Sequence, residues 1–155
     1  MEKCKLVIST VLKAGVINGN GRMYDEKALA DAFEQFKKRD HTMYGNLGYP
    51  ESCVVDLSQV SHKVNKIKMK YDKMPRKLKK KLKKLGLRNN HCSLIAEIEL
   101  LDTPKGLEAA KLMNDLVVRP AGFGTINKDN VVENYNLITL NLVDKDTDAF
   151  KGIIK

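Results

Sequence analysis

Alternating apolar and polar positions predict four strands along the chain. Cys4–Val11 is rich in β-branched residues, and Val54–Tyr71 is a long extended run. Ser93–Leu101 alternates apolar residues with glutamates, and Val131–Val143 divides its larger side chains between the two faces of a final strand. The alternation within the second run shifts near Asn65, which predicts a β-bulge there.

Apolar residues at helical spacing predict three helices. The first covers Glu26–Arg39, with Asp25 as its N-cap. The second covers Met74–Leu87, and we expect a narrow leucine stripe to dock it against the domain: Leu78, Leu82 and Leu85. The third runs from a cap at Asp102 to about Asp115.

Turn-forming residues separate these elements. Asn18–Arg22 (NGNGR) is a turn, Tyr44–Pro50 is a loop, and Asp144–Lys155 is a polar turn with a short apolar tail. Strands and helices mix without strict βαβ alternation, so the fold class is α+β, with a mostly antiparallel, barrel-like sheet and flanking helices. The 155 residues are expected to form one domain with a basic helical insert at about 73–88.

Composition limits the classes of protein. An apolar content of 43% and a charged content of 30% are typical of a soluble globular protein. There is no signal-peptide pattern and no apolar run near the ~20 residues that span a bilayer, so we expect a protein that is intracellular, or assembled inside a cell, without a membrane partner. The three cysteines, Cys4, Cys53 and Cys92, fit neither a disulfide framework nor a zinc motif, and no cofactor or metal is expected.

The net charge of +9 comes from one segment. Lys73–Arg88 contains nine of the 28 basic residues and no acid, which leaves 19 basic and 19 acidic residues elsewhere. This segment is either a solvated helix or a site for nucleic acid or an acidic protein surface. No aromatic residues are interleaved, so base stacking is not supported. The candidate anion- or partner-binding residues are Arg76, Lys77, Lys79, Lys80, Lys81, Lys83, Lys84 and Arg88.

His62 is the main candidate for catalytic chemistry. It lies within a strand in an apolar neighbourhood, whereas His41 and His91 lie beside turns and are expected to be exposed. His62 is either a structural residue or a general base, and a base needs a nucleophile and an orienting acid. The acid candidates are Glu97, Glu99 and Asp102, and the nucleophile candidates are Cys53, Cys92, Ser93 and Thr125. Ser61 is adjacent but should point to the opposite face of the strand.

A glycine-rich stretch follows the third helix. Val117–Ile126 is a loop or a strand, and it contains Gly122-Phe123-Gly124. This stretch has neither the spacing of a dinucleotide site nor the Lys-Ser/Thr of a phosphate-binding loop. It therefore predicts either a tight turn with glycine bulges or a loop that approaches a reacting group closely.

Several motifs, in this order, resemble the prohead core protein proteases of tailed bacteriophages. These serine proteases are distantly akin to the herpesvirus assemblins, and they cleave scaffold and capsid proteins inside the immature head. The resemblance covers roughly Val11–Phe150 outside the basic insert. The motifs are NGNGRMY (Asn18–Tyr24), GNLGYP (Gly45–Pro50), LSQVSHKV (Leu57–Val64), AEIELLDTPKG (Ala96–Gly106) and RPAGFG (Arg119–Gly124) followed by ENYNLITLNLVD.

The resemblance implies roles for particular residues. His62 occupies the position of the family's catalytic histidine, and Asp102 is the nearest match to the family's catalytic acid. Arg119, Gly122 and Gly124 match the loop whose backbone forms the oxyanion site. The family has a serine just before that arginine, where this chain has Val117 and Val118, which cannot attack a carbonyl. The family also often has His-Pro at the position of Tyr49-Pro50.

These departures favour a structural or auxiliary phage head protein, a pseudoenzyme that binds capsid or core proteins within an oligomeric assembly. It would reside in the virion head, assembled in the host cytoplasm. One alternative is an active maturation protease whose nucleophile is Cys92, Ser93 or Thr125. A second alternative is a basic nucleic-acid-binding module, with DNA as the partner of the insert.

Overall fold

Six strands form two antiparallel sheets. The computed structural model describes residues 6–17, 21–48, 55–86 and 91–145. A four-stranded sheet has the order β1-β4-β3-β2, with β1 at Leu6–Lys13, β2 at Met43–Asn46, β3 at Val60–Tyr71 and β4 at Cys92–Leu100. A two-stranded sheet pairs β5 (Leu116–Ile126) with β6 (Val132–Asp144).

Three helices connect these strands: α1 at Glu26–Lys37, α2 at Arg76–Lys84 and α3 at Pro104–Leu112. The predicted N-cap of α1 is confirmed, because the Asp25 carboxylate accepts a hydrogen bond from the Ala28 N–H at 3.0 Å. The helix predicted to reach Asp115 ends at Leu112, and Met113–Asp115 form a 3-10 turn.

The strand predictions are largely confirmed, including the bulge at Asn65. The β3–β4 register pairs Val64 with Ile98 and Lys66 with Glu97, so Asn65 is the extra residue. The prediction of a loop at Tyr44–Pro50 is wrong for its first part, which belongs to β2. There Tyr44 pairs with Lys63 of β3, and this long-range pairing outweighs the local turn-forming tendency of Gly45 and Asn46.

Some predicted features lie outside the described residues. These are Cys4, Asn18–Asn20, Tyr49-Pro50, Cys53, Leu87-Arg88 and 146–155.

The prediction of a barrel-like sheet is wrong, because the two sheets do not close on each other. Leu47 and Leu142 form an isolated parallel bridge between β2's end and β6, rather than a ladder. At the other side, the Arg119 side chain of β5 donates to the backbone oxygen of Thr10 in β1 at 3.2 Å. On this side, a side-chain hydrogen bond links β5 to β1 without the ladder of backbone bonds that would close a barrel.

The core lies where the two sheets and α1 meet. Its fully buried side chains include Leu29 of α1, Leu94 and Ile98 of β4, and Leu140 and Leu142 of β6. Each such side chain stabilises the fold by about 1.5–3 kcal/mol relative to exposure. Residues 139–143 of β6 are buried on both faces, so this strand segment runs through the middle of the protein.

Candidate functional site

His62 lies inside the protein. It is opposite Gly45 of β2 on one side and Leu100 of β4 on the other, and its side chain is 0% exposed. His41 and His91 are exposed, as predicted. His62 is thus the histidine that the fold surrounds with neighbouring strands.

Both ring nitrogens of His62 form hydrogen bonds. Nε2 lies 2.7 Å from the backbone oxygen of Leu140, and Nδ1 lies 2.7 Å from the Ser61 hydroxyl oxygen. A carbonyl oxygen only accepts, so the hydrogen-bond network assigns the proton to Nε2 and makes Nδ1 the acceptor of the Ser61 hydroxyl. Among the described residues, neither ring nitrogen forms a hydrogen bond with a carboxylate. In a Ser-His-Asp triad the acid binds Nδ1 and the nucleophile lies at Nε2, so here a hydroxyl occupies the acid's position and a backbone carbonyl the nucleophile's.

The expectation that Ser61 points away from His62 is wrong, and a β-bulge explains the difference. Opposite β2, His62 pairs with Gly45 but the next pair is Val60 with Asn46, so Ser61 is an extra residue in β3. A bulge disrupts the strict alternation of side chains that a regular strand imposes. Ser61 therefore reaches the adjacent imidazole, although its side chain is 0% exposed.

Burial makes the His62 imidazole a weak base. Desolvation lowers the pKa of His62 to about 4, and the hydrogen bond to the Leu140 carbonyl opposes this effect only in part. A general base works best when its pKa is near the operating pH. At neutral pH the ring is neutral and suited to a fixed hydrogen-bonding role.

Gly45 makes room for the His62–Leu140 bond. A Cβ atom on Gly45 would lie 2.1 Å from the Leu140 oxygen and 2.2 Å from His62 Nε2, so glycine is required there. The Leu140 carbonyl faces the β2 side of β6, as does that of Leu142, which accepts from the Gly48 N–H at 2.6 Å. Sequence analysis did not single out Gly45 for this role.

Thr139 and Asn141 extend the contact between the sheets. The Thr139 hydroxyl donates to the backbone oxygen of Tyr44, and the Asn141 side-chain oxygen accepts from the Asn46 N–H at 3.0 Å. We call His62, Thr139 and Asn141 the inter-sheet polar cluster, and all three are buried. Sequence analysis missed Thr139 and Asn141. The available signal was two polar residues inside an otherwise apolar strand segment, since buried polar groups need partners.

Asp102 is exposed and lies two residues beyond Leu100, the β4 residue opposite His62. The interpretation of Asp102 as the helix cap is wrong, because Thr103 caps α3 by accepting from the Gly106 N–H at 3.0 Å. The Thr103 hydroxyl also donates to the backbone oxygen of Val60 and so ties α3 to β3.

The other acid candidates point away from His62. Glu97 and Glu99 alternate with Ile98 and Leu100 along β4, so they lie on the face opposite to the one His62 shares with Leu100. Glu99 instead forms an ion pair with Lys63, with 3.5 Å between the charged atoms. Neither glutamate therefore supports the His62 ring.

Val117 and Val118 occupy regular positions in β5. Val118 is 1% exposed and pairs with Leu142 of β6, which continues the core. Leu140 of the same strand carries the carbonyl that binds His62, so β6 lies between His62 and this segment. The position where the resemblance expects a serine is thus filled by a packed apolar side chain.

Arg119, Gly122 and Gly124 belong to a strand rather than to a tight turn, while the predicted glycine bulges are confirmed. The β5–β6 register shifts between Ala121 and Gly122 and again between Phe123 and Thr125. A Cβ atom on Gly122 would lie 2.3 Å from the Asn136 oxygen, and one on Gly124 would lie 2.7 Å from the Glu133 oxygen. Close packing against β6 therefore accounts for both glycines.

The residues considered as alternative nucleophiles lie far from His62. Ser93 is seven residues along β4 from Leu100, about 23 Å at the usual strand rise. Thr125 is exposed and pairs with Glu133, which is seven residues along β6 from Leu140 and so similarly distant. Cys92 is buried, and desolvation followed by the charges of Glu26, Asp72 and Asp25 raises the pKa of its thiol to about 11. A raised pKa disfavours the reactive thiolate.

The candidate anion-binding residues form α2, except for Arg88, which lies outside the described residues. The prediction of a short helix is confirmed, and Gly86 follows it with a φ of 68°. The expected docking by leucines is wrong, because Leu78 is 42% exposed and Leu85 is 61% exposed. No residue of α2 is fully buried, so the domain leaves most of its apolar stripe exposed.

The described residues contain neither a metal-binding cluster nor a membrane-spanning helix. No group of three or more His, Cys, Asp or Glu side chains gathers there in a way that could hold a metal ion. None of the helices in that part of the chain is long and apolar enough to cross a bilayer.

The chain resembles known proteins at the level of fold. No protein-family model and no curated protein sequence matches it. Among solved structures it is similar to the capsid assembly protease gp21 of bacteriophage T4, with a TM-score of 0.57 and 16% sequence identity. The match covers 92% of this chain and 99% of the T4 protein. The chain therefore has an α+β fold like that of a phage capsid assembly protease.

Proposed function

We propose that the chain is a structural or auxiliary protein of a phage head, with a protease-like fold and no protease activity. It binds capsid or core proteins during assembly, as one component of an oligomeric head or procapsid. The fold likeness to a capsid assembly protease supports the setting, since that protein acts where capsids are built. Fold alone does not define function, so the argument against catalysis rests on the site.

The observation that carries the proposal is the pair Val117-Val118 before Arg119. Peptide hydrolysis through a covalent intermediate needs a hydroxyl or thiol within reach of a base. Val118 is packed in the core and has no group that can attack. Loss of the nucleophile removes most of the enhancement that a triad provides.

The environment of His62 supports the same conclusion. Its side chain is sealed from solvent, its pKa is lowered to about 4, and both nitrogens are bound to Ser61 and Leu140. A residue bound in this way joins the two sheets and positions no substrate. The frame of the fold is retained for assembly contacts.

A direct test mixes the purified protein with the scaffold and major capsid proteins of the same phage. We expect both partners to stay intact over many hours, and the protein to sediment with assembled procapsids. Specific cleavage of either partner would overturn the claim of inactivity. Failure to associate with procapsids would overturn the claim of a head protein.

One observation favours the alternative of an active protease, namely the 2.7 Å contact between the Ser61 hydroxyl and His62 Nδ1. In that case Ser61 is the nucleophile and the site must open before substrate enters. A fluorophosphonate probe would then label the protein, and Ser61→Ala would abolish labelling. We expect no labelling of the native protein, because the Ser61 side chain is 0% exposed.

A further inference from the structure

Helix α2 carries a largely uncovered apolar stripe. Leu78, Leu82 and Leu85 follow one another at helical spacing along one side of the helix. Leu78 and Leu85 are 42% and 61% exposed, and Leu82 is half-buried. Isolated leucines on a surface are ordinary, but three in one stripe on a helix without a buried residue form a surface that a partner can cover.

The charges of α2 work against the helix in the free protein. Seven of its nine residues are Arg or Lys, and none is acidic. Arg76 and Lys80, Lys77 and Lys81, and two further pairs are spaced i,i+4, where like charges destabilise a helix by about 0.2–0.5 kcal/mol per pair. The N-cap, Pro75, makes no side-chain hydrogen bond to the first turn. A helix this short is marginal without tertiary packing.

We propose that α2 is a docking helix for an acidic amphipathic helix of a partner protein. The partner would place apolar side chains on Leu78, Leu82 and Leu85 and carboxylates beside the flanking lysines. Apolar burial supplies affinity, while the complementary charges fix orientation and accelerate encounter. Binding also removes the repulsion within α2, so its helicity rises in the complex.

The leucine stripe decides between this partner and a nucleic acid. DNA offers phosphates to the lysines but no apolar surface for the leucines, and α2 has no aromatic residue for base stacking. An anionic bilayer offers both charge and apolar depth. Two leucines within the nine residues of α2 and a third at its C-cap, without the aromatic residues typical of interfacial helices, favour a protein partner over a bilayer.

The identity of the partner as a head protein rests on the proposed function, but the chemistry of the α2 surface does not. The test therefore uses a synthetic probe. It is an 18-residue helical peptide that has leucines at i, i+3, i+4 and i+7 with glutamates on the flanks. A second peptide replaces those leucines with serine. Duplex DNA and phosphatidylserine vesicles complete the set, and affinity is measured by fluorescence titration at low and physiological salt.

We expect the leucine-bearing peptide to bind and the serine peptide to bind at least about tenfold more weakly, because apolar burial is lost. Circular dichroism should show a gain in helix beyond the sum of the parts. Leu78→Ser/Leu82→Ser/Leu85→Ser should lose at least about tenfold in affinity while thermal unfolding changes little, because no residue of α2 is fully buried.

A charge-matched pair of variants locates the site. Lys79→Gln/Lys80→Gln/Lys83→Gln removes three charges from α2, and Lys66→Gln/Lys68→Gln/Lys70→Gln removes three exposed charges from β3. The first should weaken peptide binding and the second should not. Equal loss in both variants, equal affinity for the two peptides, or tighter binding to DNA or vesicles than to the leucine peptide would each overturn the proposal. None of these outcomes bears on whether the protein cleaves head proteins.

Discussion

The backbone carbonyl of Leu140 accepts a hydrogen bond from Nε2 of His62 at 2.7 Å, across 78 positions of sequence. This contact joins β3 of the four-stranded sheet to β6 of the two-stranded sheet. It uses Nε2, the nitrogen that faces the nucleophile in a Ser-His-Asp triad, while burial keeps the imidazole neutral at neutral pH. The histidine that sequence analysis selected as a candidate base is therefore, in the folded chain, a cross-link between sheets.

The free energy of unfolding should decrease as the pH falls, because His62 is protonated in the unfolded chain at a higher pH than in the folded protein. The unfolded histidine binds a proton below about pH 6.5, but the folded protein binds it only below about 4. The contribution of neutral His62 to the free energy of unfolding is complete above about pH 6.5. It is lost as the pH falls towards 4, and the total loss is about 3 kcal/mol. Urea unfolding at pH 7.5 and pH 4.5 would measure this loss.

Other groups also titrate in that range, so the loss must be compared with that of His62→Gln. Glutamine can donate to the Leu140 carbonyl but does not ionise. We expect the native protein to lose about 2–3 kcal/mol more than this variant between the two pH values. The same pH dependence in both proteins would contradict the assignment.

Gly45→Ala should strongly destabilise the protein. The new Cβ would lie 2.1 Å from the Leu140 oxygen and 2.2 Å from His62 Nε2, so the two sheets must separate locally. We expect a loss of at least about 2 kcal/mol in the free energy of unfolding. Gly48→Ala is the control, because its Cβ meets no atom within 4 Å although its φ is +85°. That variant should lose only about 1–2 kcal/mol, and an equal or larger loss than at Gly45 would contradict the packing argument.

Replacing Thr103 should lower the stability of the protein, whereas replacing Asp102 should change it little. Thr103→Ala removes the cap of α3 and the bond to the Val60 carbonyl, and should cost about 1–2 kcal/mol in urea unfolding. Asp102→Ala changes an exposed residue and should stay within about 0.5 kcal/mol of the native protein. If Asp102 orients a catalytic base, its replacement would instead lower a measurable protease activity while stability stays unchanged.

Cys92 should react slowly with thiol reagents. Its pKa rises from 9.0 to about 11, which lowers the thiolate fraction at pH 8 by about a hundredfold. Cys4→Ser/Cys53→Ser leaves Cys92 as the one thiol, and its reaction with a disulfide reagent can be followed by absorbance. Urea should restore the rate of an unfolded cysteine. A fast reaction in the native state would revive Cys92 as a candidate nucleophile.

Local patterns were sufficient for much of the secondary structure. The Asp25 cap, the alternation in β4 and the shift at Asn65 were predicted, because each depends on neighbouring residues and on the period of the backbone. The same reasoning failed for β2, where pairing with β3 outweighs the turn-forming tendency of Gly45 and Asn46.

The sequence by itself determined most of the elements, the α+β class, the presence of valines without a hydroxyl at positions 117 and 118, and the concentration of charge in α2. Tertiary structure decided that the sheets stay open, that a bulge brings Ser61 to His62, and that Leu140 rather than an acid binds the ring. These features depend on strand register and on contacts between distant residues. Local propensity does not encode such contacts, because a one-residue shift in register changes which side chains meet.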